Sequence, residues 1–455
     1  MKADIIVIGA GASGLMAAYS AARYAAQNGD CIKVTVLEKM PRPARKIMIT
    51  GKGRCNFTNA RPWEEFSAHI RSKANFVKSA FFAFGPQDVL EFFESFGMKT
   101  VGERGERAFP ESHRASDVVD TLVAACHSVG VKIETEFEVE SIREGFEITS
   151  TDGRKYLCSK LIIATGGLSY PGTGSTGDGY RWAESLGHSI IPTFPSLTAL
   201  VPRGYKQRET IVSEGRFHID RSSPLSETGQ KLCGISLKNV GMQLLVEGTP
   251  AGSEQGDVDF TDGGIEGPIG FQLSRKAVKS LVNGSRVALS LDLKPGVDLT
   301  ELTVRVKELW AQIASDPRSA KLREKERCRI LLGKLMPWDL IPAFTTLNPS
   351  IMTLERRSRT ETKLWVNLVS IAKALKDWRF EIEGFVGYER AVVTAGGVST
   401  DEFISKTMES RLVKGLYMCG EVLDIDSDTG GYNLQTAFST GFLAGGNAAK
   451  SITKS

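Results

Sequence analysis

Asp4-Ile5-Ile6-Val7-Ile8 followed at once by Gly9-Ala10-Gly11-Ala12-Ser13-Gly14 is the stretch whose reading decides the fold. The β-branched run suits a strand buried on both faces. Leu15 to Asn28 is Ala-rich and reads as a helix, stopped by Asn28-Gly29, and Lys33 to Glu38 (KVTVLE) reads as a second strand. The result is a βαβ unit with a G-x-G-x-x-G turn in its required setting. Gly9 permits the tight turn, Gly11 lets a pyrophosphate approach the backbone, and Gly14 lets the helix pack close to the strand. Unpaired N–H groups at the helix start favour an anion. Glu38, closing the second strand, can accept hydrogen bonds from ribose hydroxyls.

Working outward, later segments choose between NAD and FAD. Lys160 to Ala164 reads as a strand running into Thr165-Gly166-Gly167. Gly415 to Cys419 reads as another, running into Gly420-Glu421 with Asp424 just beyond. Asp428-Thr429-Gly430-Gly431-Tyr432-Asn433 then opens an apolar helix from Leu434 to Ala449. Its N-terminus suits negative charge on a reduced flavin ring. A nicotinamide domain needs no closing segment so far from its first turn, so FAD is the expected cofactor. Gly172 to Gly177 also spells G-x-G-x-x-G, but it follows Tyr170-Pro171 rather than a strand and reads as a loop.

Composition removes other classes. The chain has 455 residues, 41% hydrophobic and 24% charged, with 57 basic and 53 acidic residues. This describes an ordinary globular protein of about three structural units. The 46 glycines are an excess that asks for local backbone work. Seven cysteines without a Cys-x-x-Cys, and five histidines without a His-x-x-x-His, predict no metal site. The start lacks a signal-peptide pattern and no apolar run is long enough for a membrane span, so a cytoplasmic protein is expected.

Further motifs carry a resemblance. They are Gly51 to Asn59 (GKGRCNFTN), Ala164 to Pro171, Gly174 to Gly179, Thr394 to Val398, Thr407 to Ser410, and Gly420 to Asn433. With them the chain resembles the BaiN-like family of FAD-dependent oxidoreductases, over residues 4 to about 446. The resemblance implies an α/β protein: a discontinuous Rossmann-like FAD-binding domain interrupted by an antiparallel β domain and a helical subdomain. It implies FAD contacts from Gly9, Ala10, Gly11, Ala12, Ser13, Gly14, Glu38, Lys39, Arg45, Lys46, Gly53, Arg54, Cys55, Asn56 and Val139. Ala164, Thr165, Gly166, Gly167, Gly420, Glu421, Asp424, Gly431, Tyr432, Asn433 and Leu434 complete the expected set. One departure is Glu266, in Gly263 to Pro268, where the family more often has a small serine.

Arg54, Cys55, Tyr170 and Tyr432 are the candidates for chemistry, each weighed against packing or loop roles; Cys55 has no resolving partner at short spacing. His113 reads as a solvated loop histidine and His188 as a partner for a helix C-terminus. Short alternating runs between 197 and 293, such as Met242 to Val246 and Val287 to Leu293, predict a barrel or sandwich. Leu299 to Ala314, Arg327 to Met336 and Lys363 to Lys376 read as helices. Domain boundaries are expected at 1–192, 193–298, 299–378 and 379–455, with Phe380 to Phe385 and then Ala391 to Thr394 returning to the first sheet, so that the FAD domain proper spans about 1–192 plus 387–455.

The expected activity is hydride transfer between FAD and a small organic substrate in an interdomain cavity, with NAD(P)H as dissociable co-substrate or O₂ as redox partner. No nucleic-acid or membrane partner is expected. The alternative is a flavin-bound regulatory or RNA-associated protein using the basic segment 318–334. A plain NAD dehydrogenase is disfavoured by the C-terminal segment.

Overall fold

The structure is a computed structural model that describes residues 1–207, 218–319, 321–356 and 362–453. It divides into two compact units, Met1–Ser196 with Tyr388–Ser455, and Leu197–Gly387.

The first unit is built on the opening motif. Strand β1 (Lys2–Ile8) runs into helix α1 (Ala12–Gln27) and strand β2 (Val34–Leu37). β1 lies between β2 and the strand Lys155–Ile163, parallel to both, with Ile8 opposite Leu37 and Ile163. Leu416–Met418 adds in parallel beyond Lys155–Ile163, and Lys132–Glu134 beyond β2. Ile5, Ile6 and Val7 are fully buried, as a strand covered on both faces requires. Val139–Arg143 and Glu147–Ser150 extend the sheet antiparallel.

The alanines of α1 have a packing reason. Against them lies the C-terminal helix Gly430–Thr453, whose Gly441 and Gly445 face the α1 backbone. A Cβ on Gly445 would sit 1.9 Å from the Ala17 carbonyl oxygen, and one on Gly441 2.3 Å from that of Ser13. Only hydrogen fits in either place.

The second unit holds a closed barrel of Leu200–Pro202, Gly264–Glu266, Thr249–Thr261, Ser236–Val246, Val287–Asp292 and Trp378–Phe385. The helices Gly267–Val282, Leu299–Ser315, Glu324–Leu335 and Leu368–Lys376 belong to the same unit.

Three expectations need correction. Phe380 to Phe385 does not rejoin the first sheet: Trp378–Phe385 pairs with Leu200–Pro202 and Val287–Asp292 and closes the barrel. The boundary expected at 378 therefore falls at the start of a barrel strand. Thr362–Val366, which overlaps the helix expected from Lys363, is a strand paired with Met352–Arg356. His188 meets the helix end only through its backbone N–H, which donates to Ala183 O at 2.9 Å; its buried ring instead lies between Glu402 Oε2 (2.9 Å) and Ser410 Oγ (3.1 Å). Among the described residues no helix is long and apolar enough to cross a membrane.

Candidate functional site

Three turns leave the C-terminal ends of neighbouring parallel strands: Gly9–Gly14 after β1, Ala164–Gly167 after Lys155–Ile163, and Cys419–Glu421 after Leu416–Met418. This edge, where β1 sits between strands reached by different crossovers, is where an open α/β sheet binds its ligand. The glycines of the first turn divide the work. Gly9 has φ of +100° and a Cβ there would meet Ala164 O at 2.6 Å, while one on Gly14 would meet Gly9 O at 1.9 Å. These two lock turn, helix and strand together. At Gly11 a Cβ would meet nothing within 4 Å, although Gly11 is the N-cap of α1. A space kept free in front of α1's unpaired N–H groups is what a pyrophosphate needs.

Around this opening the expected residues are held by one another. Glu38 accepts from the backbone N–H groups of Ala10 and Met40, both at 2.8 Å. Burial pushes its carboxyl above the usual carboxylate range, only partly offset by those donors. Its oxygens keep lone pairs for a ribose hydroxyl. Lys39 binds Asp178 at 2.6 Å, tying the Gly172–Gly177 loop to the end of β2. Arg45 is exposed. Lys46 Nζ lies 3.0 Å from Glu421 Oε2, and Glu421 Oε1 accepts from Thr394 N at 2.7 Å. A Cβ on Gly167 would strike Thr394 Oγ1 at 2.4 Å, and one on Gly420 Ser13 Oγ at the same distance. Thr165 Oγ1 and Ser427 Oγ are buried without a hydrogen-bond partner, as expected of groups that await one.

The C-terminal helix contributes a second N-terminus. At Gly430 a Cβ would meet nothing within 4 Å, whereas at Gly431 it would lie 2.5 Å from the Asn56 amide, so the Gly51–Asn56 loop and this helix start touch. Ahead of the helix, buried Asp428 is gripped by Arg71, whose Nη2 lies 2.7 Å from Oδ2, and by His69 Nδ1 at 2.9 Å. The His69 ring stacks on Tyr432, centroids 4.3 Å apart. Sequence reading missed His69 and Arg71. Thr394 and Asp428 stood in quoted motifs but were assigned no role.

Several expected residues serve the scaffold. Val139 packs its side chain in the apolar core. The Asn433 amide is spent on the backbone of Ser427 and Thr429, so it shapes the turn rather than facing a ligand. Tyr432 is buried between Phe66 and His69, and burial pushes its hydroxyl up to about 12. Tyr170 lies at φ of 53°, its N–H donating to Tyr388 O. Arg54 bonds Glu103 and His113 and covers the Phe109 ring at 4.6 Å. His113 is thus an Arg54 partner. Gly53, with φ of +87°, has open space in front of it. The Lys52 side chain lies outside the described residues. Glu266 is buried in the second unit. Ala164 and Asp424 are buried, while Ala12 and Leu434 are half-buried against the core.

Cys55 is fully buried, and burial pushes its thiol up to about 11, so it is protonated at neutral pH. Brief alkylation of the folded protein at neutral pH is expected to mark exposed Cys31 and spare Cys55. Cys55→Ser is expected to keep activity within about threefold; rapid labelling of Cys55, or a large loss in the variant, would restore it as a reactive group.

The family model described as "HI0933-like protein Rossmann domain" matches residues 3–447. The chain belongs to the HI0933-like family. The 3-dehydro-bile acid delta(4,6)-reductase of Clostridium scindens is 32% identical over 447 residues, covering 98% of both chains. This bears out the BaiN-like resemblance. The ribosomal RNA dihydrouridine synthases of Escherichia coli and Haemophilus influenzae are each 32% identical over 96% of both chains. The HI0933-like assignment agrees with the expected Rossmann-type α/β class, and the inserted unit is the expected barrel.

Proposed function

We propose that the protein is an FAD-dependent oxidoreductase that adds hydrogen across a carbon–carbon double bond conjugated with a carbonyl group. The observation that carries this is the opening at the sheet edge: two helix N-termini, free space at Gly11 and Gly430, and Glu38 at the end of β2. These residues fit FAD. The Gly9–Gly14 turn and α1 would hold its pyrophosphate, Glu38 a ribose, and Thr165 and the Gly430–Thr453 N-terminus its remaining polar edges. FAD supplies the hydride when bound, with NAD(P)H as its dissociable reductant.

The relatives' names share one chemistry. A 3-dehydro bile acid with 4,6 double bonds is a conjugated ketone, and dihydrouridine is uridine with its ring double bond, conjugated to a carbonyl, saturated. Hydride added at the far carbon leaves an enolate, which must be protonated on the carbon next to the carbonyl. Among the residues around the opening, His69 suits that task. Asp428 and Arg71 fix its Nδ1 side, so Nε2 is the atom left to carry a proton outward. His69→Gln is expected to lower kcat by about 10²-fold or more with KM and flavin content unchanged. An unchanged kcat would remove His69 from the reaction.

For the substrate, the reading with more behind it is a uracil base in RNA. Two of the three relatives named above act there, and the exposed cations of 318–334 suit a polyanion. The small conjugated ketone expected from the sequence is the other reading, favoured by the bile-acid relative. Anaerobic incubation of the holoenzyme and NADPH or NADH with rRNA, followed by nucleoside mass spectrometry, separates them. Dihydrouridine above the enzyme-free control supports RNA; reduction of a 3-oxo-4-ene steroid alone supports the small molecule; neither product sinks the reaction class.

A further inference from the structure

The chain's basic excess is concentrated in one place. Residues 318–376 contain 13 Lys and Arg against 5 Asp and Glu, while the rest of the chain has 44 against 48. The helix Glu324–Leu335 lies in this stretch. It buries Cys328, Leu331, Leu332 and Leu335 and exposes Lys325 and Arg329, four residues apart on one face. Lys321 is exposed just before it. Of the nearby acids, Asp316 pairs with Arg318, Glu324 with Arg327 and Glu326 with Arg323, while Asp339, next to Trp338, is exposed. Lys321, Lys325 and Arg329 have no carboxylate within salt-bridge distance among the described residues. A surface helix that only needed solvation would pair such charges more evenly.

Beside these cations an aromatic ring is laid flat. Trp338 is 51% exposed, yet three of its ring atoms lie 2.4–3.0 Å from where a Cβ on Gly333 would be. Glycine at 333 therefore lets one face of the indole rest on the helix, leaving the remainder to solvent. The Arg329 guanidinium lies 5.8 Å from the ring centroid. The strand Thr362–Val366, with Trp365 42% exposed, packs against the same helix. A half-exposed tryptophan supported from below and flanked by unpaired cations is the combination that holds an unstacked base beside its phosphates. An acidic protein would use the cations but has no need of the ring.

We propose that this face of the second unit docks RNA: Lys321, Lys325 and Arg329 take successive phosphates, and Trp338 stacks an unpaired base. The inference rests on the RNA reading above and adds where the polymer is gripped. The test uses the full-length holoenzyme and a fluorescently labelled RNA hairpin with a uridine-rich loop, titrated across salt. The triple variant Lys321→Glu/Lys325→Glu/Arg329→Glu is expected to bind at least ~100-fold more weakly, with the salt slope reduced by about 2. Trp338→Ala is expected to lose ~10-fold with the slope unchanged. Arg286→Glu, an exposed cation outside the stretch, should change affinity by less than ~3-fold. Flavin absorbance confirms that each variant is intact.

If the wild type binds RNA and both variants bind equally well, the face is wrong and the RNA reading stands. If the wild type binds no RNA even at low salt, both fall. Equal affinity for polyglutamate of matched length would assign the face to an acidic protein and overturn the proposal.

Discussion

Gly11→Val is expected to give a folded, colourless protein. Gly11 has extended backbone angles, φ −80° and ψ −170°, which valine adopts readily, and a Cβ there meets nothing in the protein. The substitution thus costs the fold little. The branched side chain instead fills the space in front of the first N–H groups of α1, where the pyrophosphate must come close. Flavin affinity is expected to fall at least ~100-fold, read as loss of absorbance near ~450 nm after purification with excess FAD. The flavin-free melting temperature should stay within about 3 °C of the stripped wild type, since a compatible surface change is worth only tenths of a kcal/mol. Stoichiometric flavin in the variant would mean that the first turn does not hold the cofactor.

Gly445→Val is expected to do the opposite and damage the fold itself. Its Cβ would lie 1.9 Å from the Ala17 carbonyl oxygen and 2.7 Å from its carbon. Both are backbone atoms of α1, so no rotamer change relieves the clash and the C-terminal helix must move away. Overpacking of this kind costs about 3 kcal/mol or more. Because Ser13 and Ala17 stand at the start of α1, the displacement also disturbs the turn that precedes it. A melting temperature lower by about 10 °C, or insoluble protein, is expected. Gly102→Ala, where a Cβ also meets nothing, is the matched control and should shift melting by no more than about 2 °C. If Gly445→Val melts with the wild type, the two helices are not in direct backbone contact.

The contrast between these glycines shows how far the sequence could be read. The β1–α1–β2 unit was legible because all its signals are local: a β-branched run, a Gly-rich turn, an Ala-rich helix, and a second strand ending in an acid. The motif also separated Gly14, a packing position, from Gly11, an open one; what it could not say is that Gly9 is closed off by Ala164, brought alongside by another strand. Thr394 was quoted without a role for the same reason. Its hydroxyl accepts from Leu168 N and Ser169 N, 226 and 225 residues away in sequence, and its N–H donates to Glu421. The His69–Asp428 pair spans 359 positions, and a lone histidine carries no local signal.

Where the reading failed, periodicity was silent about a strand's partner in one place and gave the wrong element in another. Phe380 to Phe385 alternates as a strand should, but only the register of Ile382 with Val287, and of Phe385 with Leu200, assigns it to the barrel. At 362–366 the alternation of Lys363, Leu364, Trp365 and Val366 was absorbed into the helical pattern that starts a few residues later. Cys55 was legible as flavin-loop sequence, but its burial, and so its unreactive thiol, was not.

The central claim is that this HI0933-like chain holds FAD at the sheet edge and saturates a carbonyl-conjugated double bond. It is tested most directly by reducing the FAD-loaded protein anaerobically and mixing it with uridine-containing RNA, with a 3-oxo-4-ene steroid, or with the saturated counterpart of each. The account predicts that absorbance near ~450 nm returns with at least one unsaturated substrate and with neither saturated one, and that the product gains the mass of one hydrogen molecule. Failure to retain FAD, or a flavin that stays reduced with every unsaturated compound while reoxidising only in air, would contradict it.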